Sequence, residues 1–426
     1  MDQLQAAQQQ PSPDKIAPRP SLARPALVLL LTINLFNYVD RQVLAAVVKP
    51  IQDDLHASKE AMGWAATAFL VSYMLFSPLF GWAADRFPRW ALVAIGVGVW
   101  SLASGATGLA ATFTALILTR CFVGIGEAAY GPVAPTLLSD LFPVEKRGLI
   151  LSWFYAAIPV GSALGYVVGG AVAGLLNWRW AFWLVTPPGL LLAILALRMP
   201  EPPRGLADGA HTRQARWSDY LLLLRTPSYV LDTLGLTAMT FAVAGIAFWM
   251  PTYIVDLHTA GDLRQVNLIF GGIVVVSGLA ATLTGGWLGD ALRSRFPGSY
   301  FLVCATGMLL GFPLFFLMLY TPFPAAWGIL FLVCFCLFLN TGPGNTILAN
   351  VTHPSIRASA FALNILIIHA LGDAISPPLI GAIADRWGLR AGFSLVSVVM
   401  LIAGILWMAG ARHLQRDTAA APTSIA

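Results

Sequence analysis

The chain has 426 residues, of which 58% are hydrophobic and only 11% are charged, and its formal net charge is +5. A soluble domain has about 25% charged residues, so this composition excludes a soluble protein and indicates an integral membrane protein. The positive charge does not indicate nucleic-acid binding, because the Lys and Arg residues follow a membrane topology, as described below.

Long apolar segments separated by short polar breaks predict membrane-spanning helices and not a β-barrel. The predicted fold is an all-α polytopic membrane protein with twelve transmembrane helices in two six-helix bundles, at 26–199 and 229–411, joined by a hydrophilic linker at 200–228. Residues 1–25 and 412–426 are predicted tails, and the first is expected to be disordered and not a signal peptide. The predicted spans are 26–49, 60–84, 90–112, 114–141, 148–176, 178–199, 229–257, 264–292, 298–320, 324–351, 356–385 and 389–411.

The distribution of basic residues predicts the orientation of these spans. Most of the 25 Lys and Arg residues lie in the tails, in the central linker and in the loops that follow even-numbered spans. Because basic loops stay in the cytoplasm, both termini are expected there, in a multi-pass protein of the cytoplasmic (inner) membrane. The four cysteines lie in apolar segments and are expected to be packing residues, and no cofactor or metal site is predicted.

The first span contains polar and charged residues at membrane depth. On a helical wheel Asn34, Asn37, Tyr38 and Arg41 share one face, and Asp40 points about a quarter-turn away. A polar stripe on a membrane helix cannot face lipid, so this face is expected to line a hydrated cavity with a substrate or proton pathway. A buried ion pair that only holds helices together is the alternative.

The fourth span repeats this pattern. Arg120, Gly124 and Glu127 lie on one face, with about 10 Å along the helix axis between the two charged residues. Gly124 lies between them and is expected to leave a notch that another helix or a ligand can approach closely.

The second half offers aromatic and amide side chains in place of charges. Span 7 contains Phe241 and Trp249, and span 10 contains Asn340 and Asn345, with Gly342-Pro343-Gly344 predicted to break the helix of span 10. These side chains suit an amphiphile with an apolar tail. Ordinary packing between helices is the alternative for each aromatic residue taken singly.

Span 11 contains His369 and Asp373, one helical turn apart, which are expected to share a proton. A histidine that only packs and makes a hydrogen bond is the alternative reading.

Three short stretches repeat one another along the chain. They are Gly81–Arg86 after span 2, Gly286–Asp290 after span 8, and Gly381–Arg386 after span 11, on the opposite side of the membrane. Similar motifs at opposite faces are typical of nested inverted repeats in secondary transporters, in which the substrate site lies near the membrane midplane.

The stretch with Gly81, Asp85, Arg86 and Arg89 resembles the cytoplasmic gate motif of the major facilitator superfamily, with Pro88 at a position where glycine is usual. Four further stretches resemble the Spinster family of that superfamily, namely Asn37–Arg41, Arg120–Ala128, Ala157–Tyr166 and Leu371–Pro377. The resemblance implies that spans 1, 4, 7 and 10 surround the cavity. It also implies an amphiphilic substrate such as a lysolipid or a sphingoid phosphate.

In that arrangement Asp40, Arg41, Arg120 and Glu127 are expected to form a neutral quartet. Protonation of Asp40 or Glu127 would free an arginine, whose planar fork suits phosphate or carboxylate. Electrostatics then favours binding of a proton together with an anion, or exchange of a proton for a cation. The residues expected to bind substrate are Arg41, Arg120, Asn34, Asn37, Tyr38, Tyr130, Phe241, Trp249, Asn340 and Asn345, and those expected to couple protons are Asp40, Glu127, Asp373 and His369.

Gating is assigned to residues at the ends of spans. Asp85 and Asp290 are expected to meet the positive N-termini of spans 11 and 5, respectively, as latches. The full set of expected gating residues is Asp85, Arg86, Arg89, Arg147 and Asp290.

The sequence therefore predicts a proton-coupled secondary transporter that works by alternating access, as a monomer in the lipid bilayer, with a small amphiphilic substrate and no nucleic-acid partner. A drug or organic-anion transporter of the same superfamily is the main alternative. No lysine follows a glycine, and neither His-Glu-x-x-His nor Gly-x-Ser-x-Gly occurs, so an ATP-driven pump and an enzyme are not favoured. A membrane-embedded lipid-modifying enzyme and a channel are the remaining alternatives.

Overall fold

The computed structural model describes residues 20–84, 86–142, 144–202, 223–257, 261–352 and 356–421, and no strand occurs among them. The α-helices are Pro20–Ala46, Val48–Leu55, Lys59–Ala84, Arg89–Thr107, Phe113–Ala128, Val133–Leu141, Val144–Leu175, Trp178–Leu197, Pro227–Asp256, Leu263–Leu292, Ser299–Met318, Ala325–Phe338, Thr341–Asn350, Arg357–Ile368, Ser376–Trp387, Leu389–Gly410 and Leu414–Ala420, with a π-helical segment at His369–Asp373.

Within the described part of the chain, 12 helical segments are long and apolar enough to cross a membrane, which confirms the predicted all-α architecture and the number of spans. In order, spans 1 to 12 are Ala23–Ala46, Lys59–Ala84, Arg89–Thr107, Phe113–Leu138, Ala157–Leu175, Trp178–Leu197, Pro227–Asp256, Leu263–Leu292, Ser299–Met318, Ala325–Asn350, Ala360–Trp387 and Leu389–Gly410. The first helix begins at Pro20, inside the predicted tail, and most of the predicted linker, 203–222, lies outside the described residues.

The predicted break in span 10 is wrong by a few residues. One helix of this span ends at Phe338 and the next begins at Thr341, so the break lies before Gly342-Pro343-Gly344 and not within it. Pro343 is in the first turn of the second helix, where a proline needs no N–H partner and is tolerated. Pro343 therefore lies in the first turn of a helix, at a position where the sequence predicts a break.

A short helix after span 12 caps the start of span 7. The carboxylate of Asp417 accepts a hydrogen bond at 2.9 Å from the backbone N–H of Ser228, which lies in the first turn of span 7. Arg416 donates a second bond to Asp417 at 3.0 Å. Burial alone would raise the pKa of Asp417, but these hydrogen bonds to the charged form outweigh burial and lower it.

Because the number of spans is even, the start of span 1 and the end of span 12 lie on one side of the bundle, which we call the terminal face; the opposite side is the distal face. The first six and the last six spans, the two halves, meet near the distal face. There Gly63 of span 2 packs on the backbone of Pro377 and Pro378 in span 11, and Gly170 of span 5 packs on Asn267 of span 8. Small residues allow this close approach of helix backbones.

At the terminal face each half packs mainly on itself. The helix Val133–Leu141 of span 4 contacts spans 1, 2, 3 and 5, and the helix Arg357–Ile368 of span 11 contacts span 7 and its own neighbours in the chain. Among the described residues, the close contacts between the halves therefore lie near the distal face.

Candidate functional site

An ion pair between spans 1 and 4 forms the centre of the charged site. Nε and Nη2 of Arg41 lie 2.7 Å and 2.6 Å, respectively, from Oε2 of Glu127. The Glu127 side chain is 1% exposed and that of Arg41 is 22% exposed, so the pair is buried on the side of the acid and partly open on the side of the base. The two spans therefore bring together charges that belong to separate motifs in the sequence.

Asp40 has a different neighbour, as its direction on the wheel suggests. It is 3% exposed, and Oδ1 accepts a hydrogen bond from the hydroxyl of Ser104 in span 3. Its other oxygen, Oδ2, has no hydrogen-bond partner among the described residues. The positive charges of Arg120 and Arg41 both act on Asp40. A hydroxyl and two cations thus compensate for the burial of this carboxylate.

Arg120 is the most enclosed cation of the site. It is 2% exposed, and its Nε and Nη1 atoms have no hydrogen-bond partner within the described part of the chain. Its guanidinium carbon lies over the ring of Phe69 in span 2, 5.6 Å from the ring centroid. Arg120 is therefore a buried donor whose hydrogen-bonding capacity is not used up by the protein.

Aromatic rings surround the guanidinium of Arg41. Its Cζ atom lies 5.0 Å from the centroid of Tyr38, 4.9 Å from that of Phe69 and 5.5 Å from that of Tyr73. Tyr38 is expected from the sequence, but Phe69, Tyr73 and Ser104 are not. The available signal is weak, because none of these three side chains carries a charge, and uncharged aromatic and hydroxyl residues also occur in ordinary packing between helices.

Two polar residues of the first half make structural hydrogen bonds. Asn34 donates to the backbone oxygen of Phe154 in span 5 at 2.7 Å, and the hydroxyl of Tyr130 donates to the backbone oxygen of Leu30 at 2.9 Å. Asn37 is 3% exposed, and its side chain interacts with the carboxylate of Glu127. A role in substrate binding stays a prediction for all three side chains.

The described hydrogen bonds of the expected residues in the second half involve none of the four charged side chains. Phe241 and Trp249 are buried in the hydrophobic core, and Trp249 donates from Nε1 to the backbone oxygen of Pro377 at 2.9 Å. Asn340 is fully buried and donates to Leu337 O at 2.7 Å, whereas Asn345 is exposed and donates to Thr341 O. These contacts are those of packed helices, and contact with a substrate stays a prediction.

His369 and Asp373 lie in contact in span 11, with 2.8 Å between Nδ1 and Oδ2. The segment that contains both is a π-helical turn, and its Gly372 packs on the backbone of Thr237 in span 7. Such turns occur often at functional sites. Oδ1 of Asp373 has no partner in the described residues, so this oxygen can accept a further hydrogen bond.

The gate motif makes ion pairs that join spans 3 and 4 at the terminal face. Arg89 is 4% exposed and pairs with Asp140 of the helix Val133–Leu141 at 2.5 Å and with Glu201 at 2.8 Å. Arg86 stacks on the ring of Trp82, 4.2 Å from its centroid. Arg89 therefore ties span 3 to span 4 and to the start of the linker.

The expected latches are placed as follows. Asp85 lies outside the described residues, as does the side chain of Arg147, whose backbone belongs to the helix Val144–Leu175. Asp290 accepts a hydrogen bond from the hydroxyl of Tyr300 at 2.7 Å. Its described hydrogen bond is thus with span 9, the next span along the chain, and not with the start of span 5.

The carboxylate of Asp385 joins the two halves at the distal face. The backbone N–H groups of Lys59 and Glu60, at the start of span 2, each donate at 2.9 Å to one oxygen of Asp385 in span 11. Gly381, one turn earlier, packs directly on the carbonyl of Lys59. The repeat Gly381–Arg386 is the signal for this contact, since it mirrors the stretch after span 2. No group of His, Cys, Asp and Glu suited to a metal ion occurs in the described ranges.

Comparisons with known proteins agree with this architecture. The family model of the Major Facilitator Superfamily matches residues 30–377. The chain is 36% identical to protein spinster homolog 3 of Danio rerio over 430 residues, which cover 93% of the chain and 86% of that protein. It is 37% identical to protein spinster homolog 1 of Homo sapiens over 394 residues, covering 86% of the chain and 74% of the relative.

The fold is similar to the crystal structure of a bacterial homologue of the human lysosomal transporter Spinster in an inward-facing, unoccupied conformation. The TM-score is 0.85 at 22% sequence identity, and the match covers 94% of this chain and 98% of the other.

Proposed function

This chain belongs to the Spinster family of the major facilitator superfamily and is a multi-pass membrane transporter, not an enzyme, and from that premise we propose that it is a proton-coupled secondary transporter of an amphiphile with an anionic head group. Lysolipids and sphingoid phosphates are the substrate class. Transport proceeds by alternating access, in a monomer whose termini lie in the cytoplasm.

The observation that carries this proposal is the state of Arg120. A guanidinium at membrane depth is costly unless it is paired, yet two of its nitrogen atoms have no hydrogen-bond partner in the described part of the chain. The described bonds of the nearby acids go to other groups, from Glu127 to Arg41 and from Asp40 to Ser104, and each involves one of the two carboxylate oxygens. A phosphate or carboxylate head group supplies the missing acceptors, and the planar fork of arginine suits both.

The same arrangement supports proton coupling. With all four charged side chains ionised the cluster is neutral, and one added proton makes it net positive. Protonation of Glu127 removes the counter-charge of Arg41, and protonation of Asp40 removes a negative charge that acts on Arg120. Each proton therefore strengthens the attraction for an anion, so proton and substrate binding support each other.

Alternating access is supported by the contacts that close the distal face. Besides the bonds of Asp385, Asn267 of span 8 donates to the backbone oxygen of Ala46 at 3.2 Å, and Thr67 of span 2 donates to that of Ala374 at 2.5 Å. All of these bonds join one half to the other. The opposite state breaks them and closes the terminal face, where Asp85 would cap span 11 as Asp385 caps span 2.

Transport in proteoliposomes tests the proposal. Purified protein is reconstituted and given a lysophosphatidic acid, a sphingoid phosphate or an organic cation, each with and without an imposed pH gradient. We expect saturable uptake of at least one of the two phosphates, accelerated by the gradient. Transport of the cation alone would contradict the anionic head group and favour a drug transporter, and uptake that does not saturate would contradict a carrier.

A further inference from the structure

One aromatic ring contacts both arginines of the charged site. The guanidinium carbons of Arg41 and Arg120 lie over the ring of Phe69, at 4.9 Å and 5.6 Å from its centroid. Phe69 is 6% exposed, so water screens neither interaction well. We propose that Phe69 is the positioning residue of the charged site, which holds Arg120 in place with its hydrogen-bond donors directed to an anionic head group. This inference rests on the function proposed above.

The backbone holds the ring in this position. Gly124 of span 4 packs directly on the carbonyl oxygen of Phe69, and a β-carbon at Gly124 would collide with that oxygen. This is the notch that the sequence predicts, and span 2 fills it. Ser72 of the same span borders the notch one turn later. Because the contact involves the backbone of Phe69, it fixes the point from which the ring extends toward the arginines.

A ring has an advantage over a carboxylate as a partner of Arg120. A cation–π contact uses the face of the guanidinium and leaves the N–H groups at its edge free to bind an acceptor. A carboxylate would occupy those N–H groups, as Glu127 does for Nε and Nη2 of Arg41. Phe69 thus stabilises a buried positive charge without competing with the head group.

The ring also brings together two like charges. Arg41 and Arg120 repel each other, and the negative face of the phenyl ring offsets part of that repulsion. Once protonation of Glu127 frees Arg41, two guanidinium groups at one ring form a site for a doubly charged phosphate, whereas one group would suffice for a carboxylate. The inferred preference is therefore for a phosphate head group.

Binding to purified protein in detergent tests this role. The probes are 1-oleoyl lysophosphatidic acid and 1-oleoylglycerol, which share the tail and differ in the phosphate, and the readout is quenching of tryptophan fluorescence. We expect Phe69→Leu to weaken binding of the phosphate about tenfold, the size of a desolvated cation–π contact. Phe69→Tyr should restore it. Phe182→Leu is the matched control, since Phe182 is a fully buried ring of the first half that packs edge-on against Trp178.

A readout without ligand separates this inference from the proposed function. The melting temperature of the empty protein should fall less on Phe69→Leu when Arg120 has been replaced by Gln, because the charge that the ring stabilises is then absent. The positioning role would be overturned if Phe69→Leu and Arg120→Gln lowered the melting temperature additively, or if wild type and Phe69→Leu bound the phosphate equally. Neither result would contradict the proposed function. A wild type that binds neither probe, with a non-additive melting cycle, would contradict the proposed substrate class and leave the positioning role supported.

Discussion

Arg41 in span 1 pairs with Glu127 in span 4, with 2.6 Å between Nη2 and Oε2, although Asp40 is its neighbour in the sequence. Asp40 instead accepts a hydrogen bond from Ser104 in span 3. Glu127 is thus in direct contact with Arg41, whereas Asp40 has no direct contact with either arginine and acts on both through space. Each acid can therefore be neutralised separately by an amide substitution.

Glu127→Gln should remove proton coupling. The amide mimics the protonated acid and still accepts a hydrogen bond, but it leaves Arg41 without a counter-charge, at a cost of about 1–3 kcal/mol in stability. We expect substrate binding at fixed pH to persist and the response of uptake to an imposed pH gradient to disappear. Uptake in proteoliposomes and binding in detergent are the two measurements, and an unchanged gradient response would show that Glu127 is a structural ion.

Asp40→Asn should also abolish gradient-driven transport while leaving binding measurable. The amide oxygen can still accept the bond from Ser104, so the effect isolates the loss of charge near Arg120. Ser104→Ala is the control, because it removes the hydroxyl and keeps the carboxylate, and it should retain a response to the gradient. If Asp40→Asn responds to the gradient as wild type does, the coupling proton is bound elsewhere.

Arg120→Lys should impair transport nearly as much as Arg120→Ala. Lysine keeps the charge but loses the two-pronged fork, and a hydrogen bond to a charged group is worth about 1.5–3 kcal/mol, or about 10–100-fold in affinity. The measurement is the concentration dependence of uptake, supported by binding of lysophosphatidic acid. Wild-type affinity in both variants would exclude Arg120 from head-group binding.

Asp385→Asn should favour opening of the distal face. The substitution weakens a carboxylate that caps the start of span 2, an interaction worth about 0.3–2 kcal/mol. In a variant without the native cysteines, a reporter cysteine at the fully buried Met62 should react faster with an impermeant maleimide.

Two further variants test whether the change in labelling rate of Asp385→Asn arises from opening of the distal face. Asp54→Asn breaks an ion pair with Arg179 inside the first half and should leave labelling unchanged. Asp85→Asn should slow the labelling, because it weakens the proposed latch of the terminal face. Equal labelling of Asp385→Asn and wild type would mean that the cap does not hold the halves together.

The cap by Asp417 should make stability depend on pH in the acid range. Because hydrogen bonds lower its pKa in the folded state, its contribution is complete above the ordinary aspartate pKa of about 3.9 and is lost as the pH falls below that value. Asp417→Asn should therefore lower the melting temperature at pH 7, by the equivalent of about 0.5–2 kcal/mol for a lost helix cap. The difference between variant and wild type should shrink toward pH 3, and a constant difference would contradict the charge-dependent cap.

The sequence by itself determined the number of spans, the class of the protein and the family. These follow from local properties, since each span needs about 20 apolar residues and the motifs are contiguous stretches. It also identified Asp40, Arg41, Arg120 and Glu127, because charges at membrane depth are rare and are functional by default. The notch at Gly124 was likewise readable, since a glycine between two charges on one helix face leaves room for a backbone.

Only the tertiary structure decided which groups these charges meet. Ser104, Phe69 and Tyr73 come from spans 2 and 3, whose polar residues away from the span ends are uncharged and do not indicate which charge of another span they meet. The bond between Asp385 and the start of span 2 joins residues that are 326 positions apart. Pairing at such separation depends on how helices pack, and in a membrane that packing is set by close contacts such as those of Gly63 and Gly124, which hydropathy cannot order.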